Sequence, residues 1–137
     1  MKFIIVNGTL KPSSESNTSV VCEMVKLGFE KFGHECEIVN TAELNYKNST
    51  EDEDDELRPV IHRMIQPEMD GIIIATPIWW GMFSSHTQAL IERLDYIDTW
   101  SLDNNHYKPM FGKVFGSIVS GGVDGWQHIT GTLASFA

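Results

Sequence analysis

Three short apolar runs constrain this chain more than anything else in it: KFIIVN from Lys2 to Asn7, GIIIATP from Gly71 to Pro77, and KVFGSIVS from Lys113 to Ser120. The third reads as a further strand, and the first two are continuous and rich in β-branched residues. That pattern suits a strand covered on both faces, as in a parallel sheet. HECEIV, from His34 to Val39, reads as a fourth and shorter strand. After the first run, Val21, Met24, Val25, Gly28, Phe29 and Phe32 recur at helical spacing, and Gly33 stands where a C-cap belongs. Val60, Ile61, Met64 and Ile65 predict the inner stripe of a second helix, which Pro67 ends. Thr87, Leu90, Ile91, Leu94 and Ile97 predict a third, and Ile129, Leu133 and Phe136 begin a last one. Strands alternating with helices at these lengths predict an α/β fold with a doubly wound parallel sheet, helices on both faces and right-handed crossovers. A chain of 137 residues makes one such domain.

Charge then narrows the partners. A formal net charge of -9 repels phosphate backbones and anionic lipid surfaces, which predicts neither nucleic acid nor membrane as a partner. The run after Met1 is too short for a signal-peptide core, and no run approaches the ~20 apolar residues of a membrane span. The expected compartment is the cytoplasm. Cys22 and Cys36 lack metal-site spacing and are expected to be buried free thiols. The segment Asn45 to Glu56 (NYKNSTEDEDDE) concentrates acid without apolar periodicity. It reads as a solvated loop leading into a helix start, since it lacks the Gly and spacing of an EF-hand.

Ligands of doubly wound sheets bind beyond the carboxyl ends of the strands, where strand order reverses. Three loops leave those ends here. The first, NGTLKPSSESNT, sets Thr9, Ser16, Asn17, Thr18 and one cation, Lys11, ahead of a helix start. That combination favours an anion such as phosphate, although helix capping alone accounts for one such residue. Neither the P-loop nor the G-x-G-x-x-G spacing is present. The second, TPIWWGMFSSHTQ, carries large apolar side chains where a surface loop is ordinarily polar. They could wall a flat aromatic ligand, or Trp79, Trp80 and Phe83 could pack on the domain or a partner subunit. The third, SGGVDGW, offers successive glycine amides to a polar ring edge, or is simply a turn.

Together these loops resemble, over nearly the whole chain, the flavodoxin-like NAD(P)H-dependent FMN reductase and multimeric flavodoxin superfamily. NGTLKPSSESNT is similar to that family's phosphate loop, TPIWWGMFSSHTQALIERLD to its TPIYWG stretch and following helix, and SGGVDGW to its third flavin loop. The resemblance places Thr9, Lys11, Ser16, Asn17 and Thr18 around an FMN phosphate. It sets Pro77, Ile78, Trp79, Trp80, Gly81 and Met82 along the isoalloxazine, with Ser120, Gly121 and Gly122 on its other side. Trp79 stands where the family often has Tyr, Gln88 where it often has Lys, and Glu92 where it often has Asp. The cysteine group of cluster-carrying relatives is replaced by EDEDDE, which excludes an iron-sulfur cluster on ligand grounds, and no metal is expected. The fold implied is a three-layer flavodoxin-like α/β/α sandwich over residues 1–137. It lacks the final strand and helix, which would leave KVFGSIVS at a sheet edge; the expectation is a truncated chain, and the alternative is that another subunit covers that edge.

The function implied is an FMN-dependent oxidoreductase. It would take hydride from NADH or NADPH and pass electrons to a small-molecule acceptor such as a quinone or free flavin. The alternatives are a flavodoxin-like electron carrier and a truncated fragment that binds no flavin. The flavin carries the chemistry, so no catalytic acid, base or nucleophile is assigned; His86 and His128 read as capping or packing residues. Relatives imply a homodimer or homotetramer.

Overall fold

All four strand-like runs form strands close to the residues marked by their composition. The computed structural model describes residues 1–103, 109–122 and 124–136. Strands β1 (Lys2–Asn7), β2 (Glu35–Asn40), β3 (Gly71–Pro77) and β4 (Val114–Ser120) form one parallel sheet in the order β2-β1-β3-β4. Val6 lies in register with Val39 on one side and Ile74 on the other, and Ala75 with Ile118. The chain steps outward from β1 to β2 and then crosses back to β3. Strand order therefore reverses beside the end of β1.

Helices α1 (Asn17–Lys31), α2 (Arg58–Met64), α3 (Ser85–Leu94), α4 (Tyr96–Asp103) and α5 (Trp126–Phe136) cover the sheet. Successive strand residues point to opposite faces. Phe3, Ile5, Ile73 and Ala75 therefore meet Cys22, Val25 and Phe29 of α1, with the Phe3 and Phe29 rings stacked at 4.2 Å. Ile4, Val6, Ile72 and Ile74 face the other way, onto the apolar sides of α2 to α5. Both faces of β1 and β3 are thus buried and apolar, as their unbroken sequences require, whereas β4, covered on both faces in expectation, has no buried residue because among the described residues it pairs with β3 alone.

Helix α1 ends as expected: the Gly33 amide donates to Glu30 O (2.9 Å) and the His34 amide to Phe29 O (3.0 Å), a Schellman closure. Its inner stripe differs from the expected one. Met24 and Phe32 are 67% and 77% exposed, and the face toward the sheet runs Thr18, Cys22, Val25, Phe29. The third expected helix is jointed at Asp95, whose amide closes a tight turn onto Glu92 O, and Ile97 reaches the core from α4.

The acidic segment is less solvated than its composition implies. The Asp55 carboxylate takes two hydrogen bonds from Arg93, at 2.7 and 3.1 Å, with 7% and 1% of the two side chains exposed. Arg93 also donates to Lys47 O, and Asp55 accepts the Leu57 and Arg58 amides at the start of α2. Cys22 and Cys36 are free and buried as expected, and burial pushes the Cys22 thiol up to about 12. Among the described residues β4 pairs with β3 alone, and no helix is long and apolar enough to cross a membrane.

Candidate functional site

The β1–α1, β3–α3 and β4–α5 loops meet at the carboxyl ends of the three strands. Thr18 of α1 and Ser120 of β4 share a hydroxyl hydrogen bond of 2.7 Å, joining the first loop to the third. The Ile78 amide donates to Ser120 O at 2.8 Å, joining the second to the third. A Cβ on Gly125 would overlap the Gly81 backbone, so the two turns touch main chain to main chain. Gly8 is similarly tight: a Cβ there would overlap Thr87, whose neighbour Ser84 donates to Gly8 O. The three sequence-predicted clusters therefore form one continuous surface.

In the first loop, Thr9, Ser16 and Thr18 are buried and Lys11 and Asn17 exposed. Several of the expected donors serve one another. Ser16 Oγ donates to Thr9 Oγ1 (2.9 Å) and accepts the Ser19 amide (3.2 Å), so it caps α1 and supports Thr9. Thr9 Oγ1 also accepts the Lys11 amide, which leaves its own hydrogen available. The Asn17 and Thr18 amides, first in the helix, have no intrahelical acceptor. With the Lys11 ammonium they form a donor set suited to an anion at the positive end of α1.

The second loop closes as a two-residue hairpin, with Trp79 and Met82 exchanging both amide bonds at 2.8 and 3.0 Å. Both central residues take positive φ, Trp80 at 51° and Gly81 at 80°, as type I′ turns require. Ile78 and Phe83 pack against the core, whereas Trp79, Trp80 and Met82 are 48%, 99% and 46% exposed. The apolar residues thus divide: two anchor the loop and three face outward. Pro77 ends β3 half-buried, and Gly121 and Gly122 lie exposed opposite, beyond Ser120. The exposed groups of the three loops thus gather at the strand ends. A cavity of about 900 Å³ bordered by Met64, Ile72, Leu94 and Phe115 lies elsewhere.

His86 is a packing residue, as its sequence setting predicts. Thr41 Oγ1 donates to Asn7 O (3.1 Å), so His86 Nδ1, 3.1 Å from that hydroxyl, carries the proton between them. Its ring meets Tyr46 edge-on, and burial pulls its pKa below the usual histidine value. The residues missed in the sequence are Asn7 and Ser19. Both are buried, and Asn7 Nδ2 donates to Ser19 Oγ at 2.9 Å. The one available signal was a polar residue closing an otherwise apolar strand.

The model of the NADPH-dependent FMN reductase family matches residues 1–136. The chain belongs to that family. Among curated relatives of this family member, the 8-demethyl-8-aminoriboflavin-5'-phosphate synthase of Streptomyces davaonensis is 29% identical over 146 residues, covering 97% of this chain and 56% of the relative. An iron-sulfur flavoprotein of Archaeoglobus fulgidus is 24% identical over 135 residues, covering 90% of this chain and 63% of the relative. A crystal structure of RosB with bound 8-demethyl-8-formylriboflavin-5'-phosphate superposes with a TM-score of 0.85 at 28% identity, covering 99% of this chain and 58% of that one. A flavone reductase superposes with a TM-score of 0.70 at 19% identity, covering 98% and 49%, and shares the fold. This reductase-family chain therefore spans little more than half the length of the curated relatives it matches, and its fold is flavodoxin-like α/β.

Proposed function

We propose that residues 1–137 form a flavodoxin-like FMN-binding domain of an oxidoreductase that accepts hydride from NADH or NADPH and reduces a small-molecule acceptor such as a quinone or free flavin. The observation that carries this reading is the linkage of three loops into one surface, through Thr18–Ser120 and Gly81–Gly125, in a chain of this family. The residues fit the group. Thr9, Lys11, Asn17 and Thr18 supply donors for a phosphate dianion, and Ser16 holds Thr9 in place. Trp79, Trp80 and Met82 offer exposed apolar side chains to border a flat ring, on a loop set by Pro77, Gly81 and the inward-packed Ile78. Gly121 and Gly122 offer exposed main-chain groups for its polar edge, beside Ser120, whose carbonyl and hydroxyl are held by Ile78 and Thr18.

The chemistry supplied by the bound flavin is acceptance of hydride and onward delivery of two electrons, with the second proton drawn from water. The chain's part is to bind and orient. The α1 end would hold the phosphate, and the Trp79–Met82 hairpin, closed by two main-chain hydrogen bonds, would border the ring. No side chain is given a proton-transfer step.

The test is spectroscopic. Protein purified with excess FMN should be yellow, and anaerobic NADPH or NADH should bleach the bound flavin within minutes. No bound flavin would overturn the reading; flavin that neither nucleotide bleaches would reduce the domain to an electron carrier. A second reading draws on the RosB complex, in which a flavin phosphate is an intermediate: here too the flavin could be the substrate itself. Recovering the bound flavin after turnover and weighing it decides between the two, since a resident cofactor keeps its mass.

A further inference from the structure

The two outer strands of the sheet guard their free edges differently. β2 carries carboxylates at alternate positions, Glu35 and Glu37, held by Lys2 at 3.6 Å and Arg63 at 3.1 Å. Charges on an edge strand discourage further pairing. β4 has none: from Val114 to Ser120 it reads VFGSIVS, without a charge or a proline. Two hydrogen bonds fix which of its backbone groups are left over. The Val114 amide donates to Asp70 O, and Ser120 O accepts the Ile78 amide, each at 2.8 Å. The amide and carbonyl of one strand residue point to the same side, and the side alternates along the strand. Val114, Gly116, Ile118 and Ser120 therefore turn toward β3, and Phe115, Ser117 and Val119 turn their main-chain groups outward. Among the described residues β4 has no other strand to meet them.

The outward set is symmetric about Ser117, and so is what surrounds it. Consider a second copy laid antiparallel along this edge, with Ser117 opposite Ser117. Phe115 then pairs with Val119 in both directions, and every outward amide and carbonyl finds a partner. Any other antiparallel register leaves one of the three residues without one. The side chains match as well. On the face toward α2 to α5, Phe115 and Val119 stand across from each other on either side of the two serine hydroxyls. On the α1 face, Ile118 lies opposite Gly116, which has no side chain to resist it, and Val114, 52% exposed, lies opposite Ser120. Ser117 itself is exposed, and no charge along the strand meets its own kind. We propose that the β4 edge is a homodimer seam, at which two copies of this chain pair antiparallel about Ser117 and join two four-stranded sheets into one. The contact is isologous and closes on itself. It thereby covers an apolar edge that otherwise invites open-ended aggregation. The proposal goes beyond the flavin reading and stands without it.

The test reads mass and register together. At about 100 µM the chain should sediment with twice the mass of one copy, as a short seam of modest area allows. Ser117→Lys sets an ammonium against its own copy and should weaken the dimer at least about tenfold, with thermal melts showing that each copy still folds. Cysteine variants in a Cys36→Ser background report the register. Ser117→Cys, opposite itself, should form a disulfide-linked dimer on addition of copper phenanthroline as oxidant, whereas Val114→Cys, opposite Ser120, should not. Unaltered protein that stays monomeric, or gathers into large assemblies, overturns the inference. So does a dimer that a folded Ser117→Lys protein retains at full strength, or one in which Val114→Cys cross-links as fast as Ser117→Cys. If Ser117→Lys does not fold, the two cysteine variants decide.

Discussion

Trp80 combines two costs in one residue. Its φ of 51° lies in the left-handed region, which is unfavourable for a bulky side chain by about 1 kcal/mol or more. Its indole is 99% exposed, so no packing within the domain offsets that cost. A substitution that suits the turn should therefore separate stability from binding. Trp80→Asn places the favoured Asn-Gly pair in the hairpin and should leave the melting temperature unchanged or raise it, by up to about 1 kcal/mol of stability. The same change should weaken flavin binding severalfold through loss of the stacking surface. Thermal melts and flavin titrations on one preparation check both halves. The sequence shows the two tryptophans plainly, but not which of their neighbours anchor the loop. Ile78 and Phe83 turn inward and Trp79, Trp80 and Met82 outward because of the hairpin's backbone, which no local pattern announces.

At the scale of elements, the strands were legible because a strand buried on both faces must be apolar throughout, and KFIIVN and GIIIATP are. Helix α1 was legible in extent but not in facing. Its sheet side includes Thr18, a polar residue drawn inward by its bond to Ser120, while Met24 is left outside. The tie between the acidic segment and α3 was not legible at all. Asp55 and Arg93 are 38 residues apart, and nothing in EDEDDE distinguishes the one carboxylate that is buried. Arg93, by hydrogen bonding, holds the Asp55 carboxyl down at about 2, against an ordinary value of 3.8. The native state therefore binds this proton less readily than the unfolded chain. The stabilisation is complete above about pH 4 and is lost as the pH falls from there to about 2, by on the order of 2 kcal/mol. Asp55→Asn should flatten that part of the stability profile. It should also cost about 3–5 kcal/mol at neutral pH, because Arg93 would be left buried without its counter-charge. Urea denaturation across this pH range measures both.

For the molecule as a whole, the α/β class and the three-loop site followed from alternation and loop position. The internal wiring of the first loop did not, because hydroxyls that satisfy one another look the same in a sequence as hydroxyls that await a ligand. The net charge of -9 acts at this scale too. A dianionic ligand approaches an anionic protein against a long-range repulsion that salt screens over about 8–10 Å at physiological ionic strength. The association rate of FMN should therefore rise severalfold between about 10 mM and about 200 mM salt, while that of riboflavin stays flat. Stopped-flow quenching distinguishes the two, and an FMN rate that falls with salt would mean that Lys11 and the α1 end outweigh the rest of the surface.

The buried thiols have a practical consequence. Cys22 lies on the sheet-facing side of α1 with no exposed surface and its thiol pushed up to about 12, whereas Cys36 of β2 is 9% exposed and borders a surface pocket. Cys22 cannot react with a disulfide reagent while α1 stays seated, since the thiolate is the attacking form and needs access. The rate at which a Cys36→Ser protein takes up such a reagent is thus a clock for the lifting of α1 from the sheet. Because the Thr9–Thr18 side of the proposed flavin site is built on the start of α1, bound FMN should slow that clock in proportion to its occupancy.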